Sequence, residues 1–325
     1  KGLTQYGLKR PSLPEACSFL DRAVWDPETH AEELYELLME DVRLLAGLRW
    51  LRRTPEREAL RGGTEAEVRE LLDDLGLELA REAALGIVLF RSLRVGRCEE
   101  LDYDDHWTRA LARGLAAKHL SGLFGMDDPE RAFLSGLFRG LGQLVLAETF
   151  PERYADVLSD REATDLELTQ RERERFGIDR DGIAWAVLRD LGFGRAVFEP
   201  MLVRSRALRG HGRSADEGDP VSLEVQRTAH LLGDIICSEA DERKALWDEL
   251  VRMRVRHDLN RDRVNELADV VVGDWWGWGD LMVVPTRTLP GFAELCDWNE
   301  LDVEPVSYNP IRTGGLVAAE AKRGL

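Results

Sequence analysis

The chain has 325 residues, 44% of them hydrophobic and 32% charged, and carries a formal charge of −17. That content can bury a substantial core in one large or two smaller domains, and no apolar run approaches the length that crosses a bilayer. The negative balance repels phosphate backbones and anionic membranes, which counts against a general nucleic-acid or membrane partner.

No basic segment followed by an apolar stretch opens the sequence as a secretory leader would. Cys17, Cys98, Cys237 and Cys296 are scattered without a C-x-x-C spacing, so reduced thiols of a cytoplasmic protein are expected. The first residue is Lys1 rather than Met, and a preceding segment is therefore expected.

Helical periodicity runs through most of the chain. Residues 13–24 and 30–53 carry apolar residues at helical spacing, the second stretch as two helices. Thr64 and Glu67 form a capping box, in which each side chain satisfies a backbone amide of the other residue, and Gly76 ends the helix they open. Further helices are expected over 78–93 and 105–125. Asp128 and Pro129 start the next one, which includes AFLSGLFRGLGQLVLAE at 132–148. Helices at 152–159, 165–176, 180–192, 221–240, 241–256 and 261–273 follow, with 206–220 as a polar, Gly-rich loop. From 274 onwards Trp275, Trp276, Trp278 and Trp298 mix with prolines, and an irregular segment packed on the helices is expected. The fold class is all-α. Its expected divisions are an N-terminal helical half (1–104), a helical core (105–273) and the irregular C-terminal segment (274–325).

The search for chemistry is mostly negative. There is no Walker loop, no G-x-S-x-G elbow and no H-E-x-x-H, and Gly140–Leu141–Gly142 lies in a helix that follows no strand. His257–Asp258 sits among arginines at a polar helix end, where a helix-terminal charge is the expected role. His106 reads as part of a helix N-terminus, and His119 and His230 as packing partners on helices.

The stretch at 132–148 resembles the pattern AFLAGLLHDIGKLVLA of the HDOD family, a branch similar to the HD-domain phosphohydrolases. Other pieces match that family in order: RPSLPEA (10–16), Met39–Glu40–Asp41, LLDDLGL (71–77), HWTRALA (106–112), FPERY (150–154) and ERFGIDRDGI (174–183). The resemblance implies an HD-like multi-helix bundle. In HD hydrolases a His-Asp pair and flanking histidines hold metal, which lowers the pKa of a bound water. Here the His-Asp positions match Arg139 and Gly140, the other histidine positions match Arg109, Arg180, Arg204 and Ser205, and the family's lysine matches Gln143. A guanidinium is always cationic and repels a divalent metal, and glycine offers no ligand.

The resemblance therefore implies a non-catalytic bacterial signal-transduction module without a cofactor, acting on a signalling partner such as a fused or separate receiver or GAF domain. Its candidate surfaces are the 206–220 loop and Trp275, Trp276 and Trp278, although core packing is the favoured role of these rings. Two alternatives stay open: a metal-dependent phosphohydrolase or cyclic-dinucleotide phosphodiesterase, and an anion- or nucleotide-sensing module in which Arg109, Arg139, Arg180 and Arg204 ring one pocket. Close guanidiniums would need carboxylate partners, so such partners are expected near them.

Overall fold

The computed structural model describes residues 2–52, 64–160, 163–208, 220–256 and 260–296, and the side chains of 202–208, 220, 240, 241, 255 and 256 lie outside that description. All regular structure among the described residues is helical. The N-terminal half holds α1 (Pro27–Glu40), α2 (Val42–Arg52), α3 (Glu65–Leu75) and α4 (Leu77–Ser92). The capping box at Thr64 and Glu67 forms as the sequence predicts, and Gly76 takes φ 75° between α3 and α4. Residues 15–20 make a 3-10 turn in place of the helix expected over 13–24, because Pro14 holds the chain extended just before it.

The long helix α5 (Tyr103–Leu123) is the axis of the molecule and packs against α6 (Pro129–Phe138), α12 (Pro220–Cys237) and α14 (Arg261–Met282). It meets α6 at bare backbone: a Cβ on Gly136 would lie 2.8 Å from the Arg113 carbonyl oxygen and from the Gly114 Cα. Between them come α7 (Leu141–Thr149), α8 (Pro151–Leu158), α9 (Asp165–Phe176), α10 (Arg180–Asp190) and α11 (Arg195–Leu208), with α13 (Ala240–Arg256) and α15 (Phe292–Leu295) towards the C-terminus. Helix α11 was not expected, because Pro200 lies inside it and interrupts the periodic pattern.

Buried Arg81 ties the two ends of this arrangement together. Its guanidinium donates to the carbonyls of Leu20 (2.9 Å), Leu191 (3.3 Å) and Gly192, so the N-terminal segment is fastened to the end of α10. Its neighbour Glu82 accepts from Arg131 Nε (3.0 Å) and from the Gly194 amide (3.1 Å).

The expected irregular segment from 274 is corrected: α14 continues to Met282 and ends at Val283, whose φ is 57°. Val264, Ala268, Val271, Trp275, Trp278 and Met282 form one buried stripe at alternating spacings of four and three residues. Packing of that stripe outweighs the low helix propensity of Gly273, Gly277 and Gly279. Trp275 and Trp278 are therefore core residues, 1% and 2% exposed, with the Trp275 indole donating to the Thr108 carbonyl (3.1 Å). Trp276 faces outward and is 58% exposed. Residues 209–219, His257–Asp258 and 297–325, with Trp298, lie outside the described residues.

Candidate functional site

The stretch 132–148 is not one helix. It breaks at Arg139 and Gly140, where α6 ends and α7 begins, and a tight turn closes with the Gln143 amide donating to the Gly140 carbonyl (3.0 Å). The break falls on the two positions that the sequence marks as the replaced His-Asp pair. A little further on, α7 and α10 touch at backbone, since a Cβ on Gly142 would lie 2.0 Å from the Arg180 carbonyl oxygen.

What faces Gly140 is His106, from the first turns of α5. A Cβ at position 140 would lie 2.5 Å from His106 Cε1 and 3.0 Å from its Nε2. The imidazole thus covers the face from which a carboxylate at 140 would extend. His106 Nε2 is buried without a hydrogen-bond partner, and burial, with the charges of Arg113 and Arg180, pushes the imidazole pKa down to about 3. The ring is neutral at ordinary pH.

The replaced positions do gather carboxylates. Arg109 Nε donates to both Asp105 oxygens (3.0 and 2.9 Å), and its Nη1 to the Ser238 hydroxyl (3.2 Å). Arg180 is buried at the start of α10; its Nε and its backbone amide donate to Glu172 (2.8 and 2.9 Å), and its Nη1 to Asp165 (3.3 Å). The Tyr154 hydroxyl donates to the same Glu172 oxygen (2.8 Å), and burial, with Glu172 beside it, raises the Tyr154 pKa well above its ordinary value. Desolvation opposes the charged form of Arg180, but Tyr154 and Glu172 outweigh it and raise the guanidinium pKa.

Arg139 differs. Among the described residues it makes no hydrogen bond or ion pair, and it keeps part of its surface open to solvent; burial and the nearby Arg113 lower its pKa to about 10, against the pull of Asp181 and Asp234. The backbone of Arg204 and Ser205 belongs to α11, but their side chains lie outside the described residues, so a ring of four arginines is not formed by what is described.

Several members of this cluster escaped sequence reading. Arg113 follows Arg109 by one helical turn and donates to Asp234 of α12 through Nε (2.8 Å) and Nη2 (2.5 Å). Asp234 also lies 3.4 Å from His230 Nε2. Asp181 is buried next to Arg180, and burial lifts its carboxyl to about 7. His106, Arg109 and Arg113 recur at helical spacing on α5, which was the available signal; the acids that meet them come from other helices and gave none. His119, read as a packing partner, instead pairs with Asp274 (2.8 Å).

A divalent metal does not fit this residue set. Gly140 supplies no ligand and is overlaid by an imidazole, Arg109 and Arg180 use their donors on carboxylates, and Arg113, Arg139 and Arg180 place cationic charge where a cation would sit. Among the described residues no group of three or more His, Cys, Asp and Glu is arranged to hold one. Nor is any helix there long and apolar enough to cross a membrane.

The HDOD domain pattern matches residues 11–206. A comparison with curated proteins finds no match. Among solved structures, an HDOD domain protein of unknown function from Geobacter sulfurreducens is 19% identical with a TM-score of 0.54, covering 86% of this chain and 95% of that one. A Shewanella amazonensis SB2B protein named "Putative phosphohydrolase" is 19% identical with a TM-score of 0.57, covering 84% and 94%. A Marinobacter aquaeolei VT8 protein named "Putative signal transduction protein" is 21% identical with a TM-score of 0.50, covering 87% of this chain and 62% of that one. At these identities the likeness establishes the fold.

Proposed function

The chain belongs to the HDOD family, and we propose that it is a non-catalytic signalling module of that family, working in the cytoplasm by recognising a protein partner. The observation that carries this reading is the treatment of the old metal positions. Arg109 and Arg180 are neutralised by Asp105, Glu172 and Asp165, and His106 covers Gly140. Positions whose arginines are paired within the protein serve as a fixed scaffold, whereas metal catalysis needs an open position for water or substrate. The name of the Marinobacter protein is in keeping with a signalling role. The free thiols Cys17, Cys98, Cys237 and Cys296 suit a reducing compartment.

The partner surface is assigned to the outer side of the last turns of α14, where Trp276 and the following Val283 are exposed. A solvent-facing tryptophan is the kind of anchor that dominates protein interfaces. A receiver or GAF domain is the class of partner proposed.

Two measurements test the reading. Metal analysis of the purified protein, paired with a phosphodiester turnover assay in added Mn²⁺ or Mg²⁺, is expected to find neither stoichiometric metal nor turnover; finding both would restore the phosphohydrolase reading. Capture of receiver or GAF domains by the wild-type chain is expected to be lost in W276A, and equal capture by both would remove the proposed surface.

A further inference from the structure

We infer that the exposed stripe of α14 running past Trp276 is a docking face for a basic amphipathic segment of a partner protein, which lays its backbone against Gly273 and its cationic side chains against the acids on either side. This deepens the partner-recognition reading and rests on it.

Opposite the buried stripe of α14, Asp262, Glu266, Asp269, Gly273, Trp276 and Asp280 recur at alternating spacings of four and three residues, and all are exposed. Gly273 is the informative member. The other two glycines of the helix are required by packing: a Cβ on Gly277 would lie 2.2 Å from the Trp50 ring, and one on Gly279 would lie 2.3 Å from Thr286 Cγ2. A Cβ on Gly273 would meet nothing within 4 Å. A glycine inside a helix is destabilising relative to alanine, and no contact within this chain compensates it at 273. The compensation that bare backbone offers is close approach of a second backbone, as at Gly136 in the contact of α5 with α6. Gly273 leaves such a seat one turn from the exposed Trp276 ring.

Charge selects the occupant. Among the described residues the carboxylates of Asp262, Glu266 and Asp280 make no ion pair, whereas Asp41, Asp105 and Glu82 are held by arginines. Asp269 accepts from the Phe292 amide (2.6 Å) and is still exposed. The opposing charges lie at the ends of the row: the exposed Arg263 is far from Trp276, and Arg94, which donates to the Val283 carbonyl (2.9 Å), is paired with Asp104. Asp269 and Asp280 bracket Gly273 and Trp276 at a separation of about 16 Å along the axis, the length of about three helical turns. Nucleic acid and anionic membrane are repelled by such a row. A second copy of a chain of charge −17, docked face to face, would set the same acids against each other. A segment bearing Lys or Arg meets the carboxylates, stacks a cation on the indole and covers Trp276 and Val283 with its apolar side chains.

The probe is a short helical peptide of leucine and lysine in amphipathic order, titrated into the full chain by calorimetry beside a control peptide with glutamate at every lysine position. The lysine peptide is expected to bind at low ionic strength with a dissociation constant on the order of 10 µM and to weaken as salt rises, and the control is expected not to bind. G273L is expected to melt at or above the wild-type temperature, because leucine is the better helix former and its Cβ meets nothing, yet to weaken binding at least about ten-fold. E266Q/D280N is expected to weaken binding by about the same factor and to flatten its salt dependence. Unchanged affinity in G273L or in E266Q/D280N overturns the inference, as does equal binding of the glutamate peptide or no binding of the lysine peptide. Self-association of the free chain that W276A abolishes would give this face to a second copy and overturns it as well. If capture of receiver or GAF domains is lost in W276A but kept in G273L and E266Q/D280N, the partner reading stands and the basic segment falls; capture untouched by W276A removes both.

Discussion

Helix α5 separates two interiors of opposite character. On one side Leu111 meets Ile87, Phe90, Phe133, Leu137, Trp278 and Met282 around a small apolar cavity. On the other, His106, Arg109 and Arg113 meet Asp105, Asp234, Ser238 and the end of α6. The apolar side is held by burial, which is non-directional, so many side chains of similar volume would serve. The polar side depends on particular pairs. Removing one member there leaves a charge stranded, which explains why replaced ligands are found with acids already beside them.

The comparison is broken hardest from the apolar side. Trp107 is fully buried, lies 4.5 Å from the Phe90 ring centroid and donates to the Leu93 carbonyl (3.0 Å). W107A is expected to cost about 4 kcal/mol in chemical denaturation, from the cavity and the lost transfer energy. On the polar side, E172A strands Arg180 and removes the acceptor of Tyr154. It is expected to cost about 3 kcal/mol, whereas replacing the Glu172–Arg180 pair together with apolar residues costs less than the single change. If E172A proved neutral, the pairs would be ornament rather than structure.

Titration separates two groups of the polar side by sign. Asp181 is raised from 3.8 to about 7, so the folded state binds the extra proton and stability falls as pH rises from about 4 to about 7. His106 is lowered from 6.5 to about 3, so the unfolded state binds the extra proton and stability falls as pH drops below about 6.5. The slopes oppose one another between about 4 and 6.5. D181N is expected to unmask the loss towards acid, and H106F to unmask the loss towards neutral pH, in denaturation curves taken across that range.

A smaller effect sharpens the role of Gly140, whose φ of −86° and ψ of 1° any residue can adopt. G140A would ordinarily gain about 0.5 kcal/mol from reduced unfolded-state freedom. With the His106 ring 2.5 Å from the new Cβ it is expected instead to lose about 1 kcal/mol, and to regain the stabilising sign in an H106A background. Additive changes in that double-mutant cycle would mean that the imidazole does not press on position 140. The smallest effect on stability belongs to W276A, expected within about 0.5 kcal/mol because the ring is solvent-facing, even as partner capture is lost.

Amphipathic spacing, the Thr64–Glu67 box and Pro129 at the first helical position were enough to place most helices and the all-α class, because each depends on neighbours within a few residues, although the Asp128 side chain makes no capping hydrogen bond. The ordered pieces around 132–148 also identified the family. Tertiary packing decided the rest. It carried α14 through its glycines to Met282, turned Trp275 and Trp278 inward while leaving Trp276 outside, and broke 132–148 at Gly140. It alone brought Asp234, Glu172 and Asp165 to the arginines and His106 over Gly140, because those partners lie on separate helices and pairing across helices leaves no period in the chain. Sequence determined which helices form and which family the chain belongs to; only the folded arrangement decided which side chains meet around Gly140.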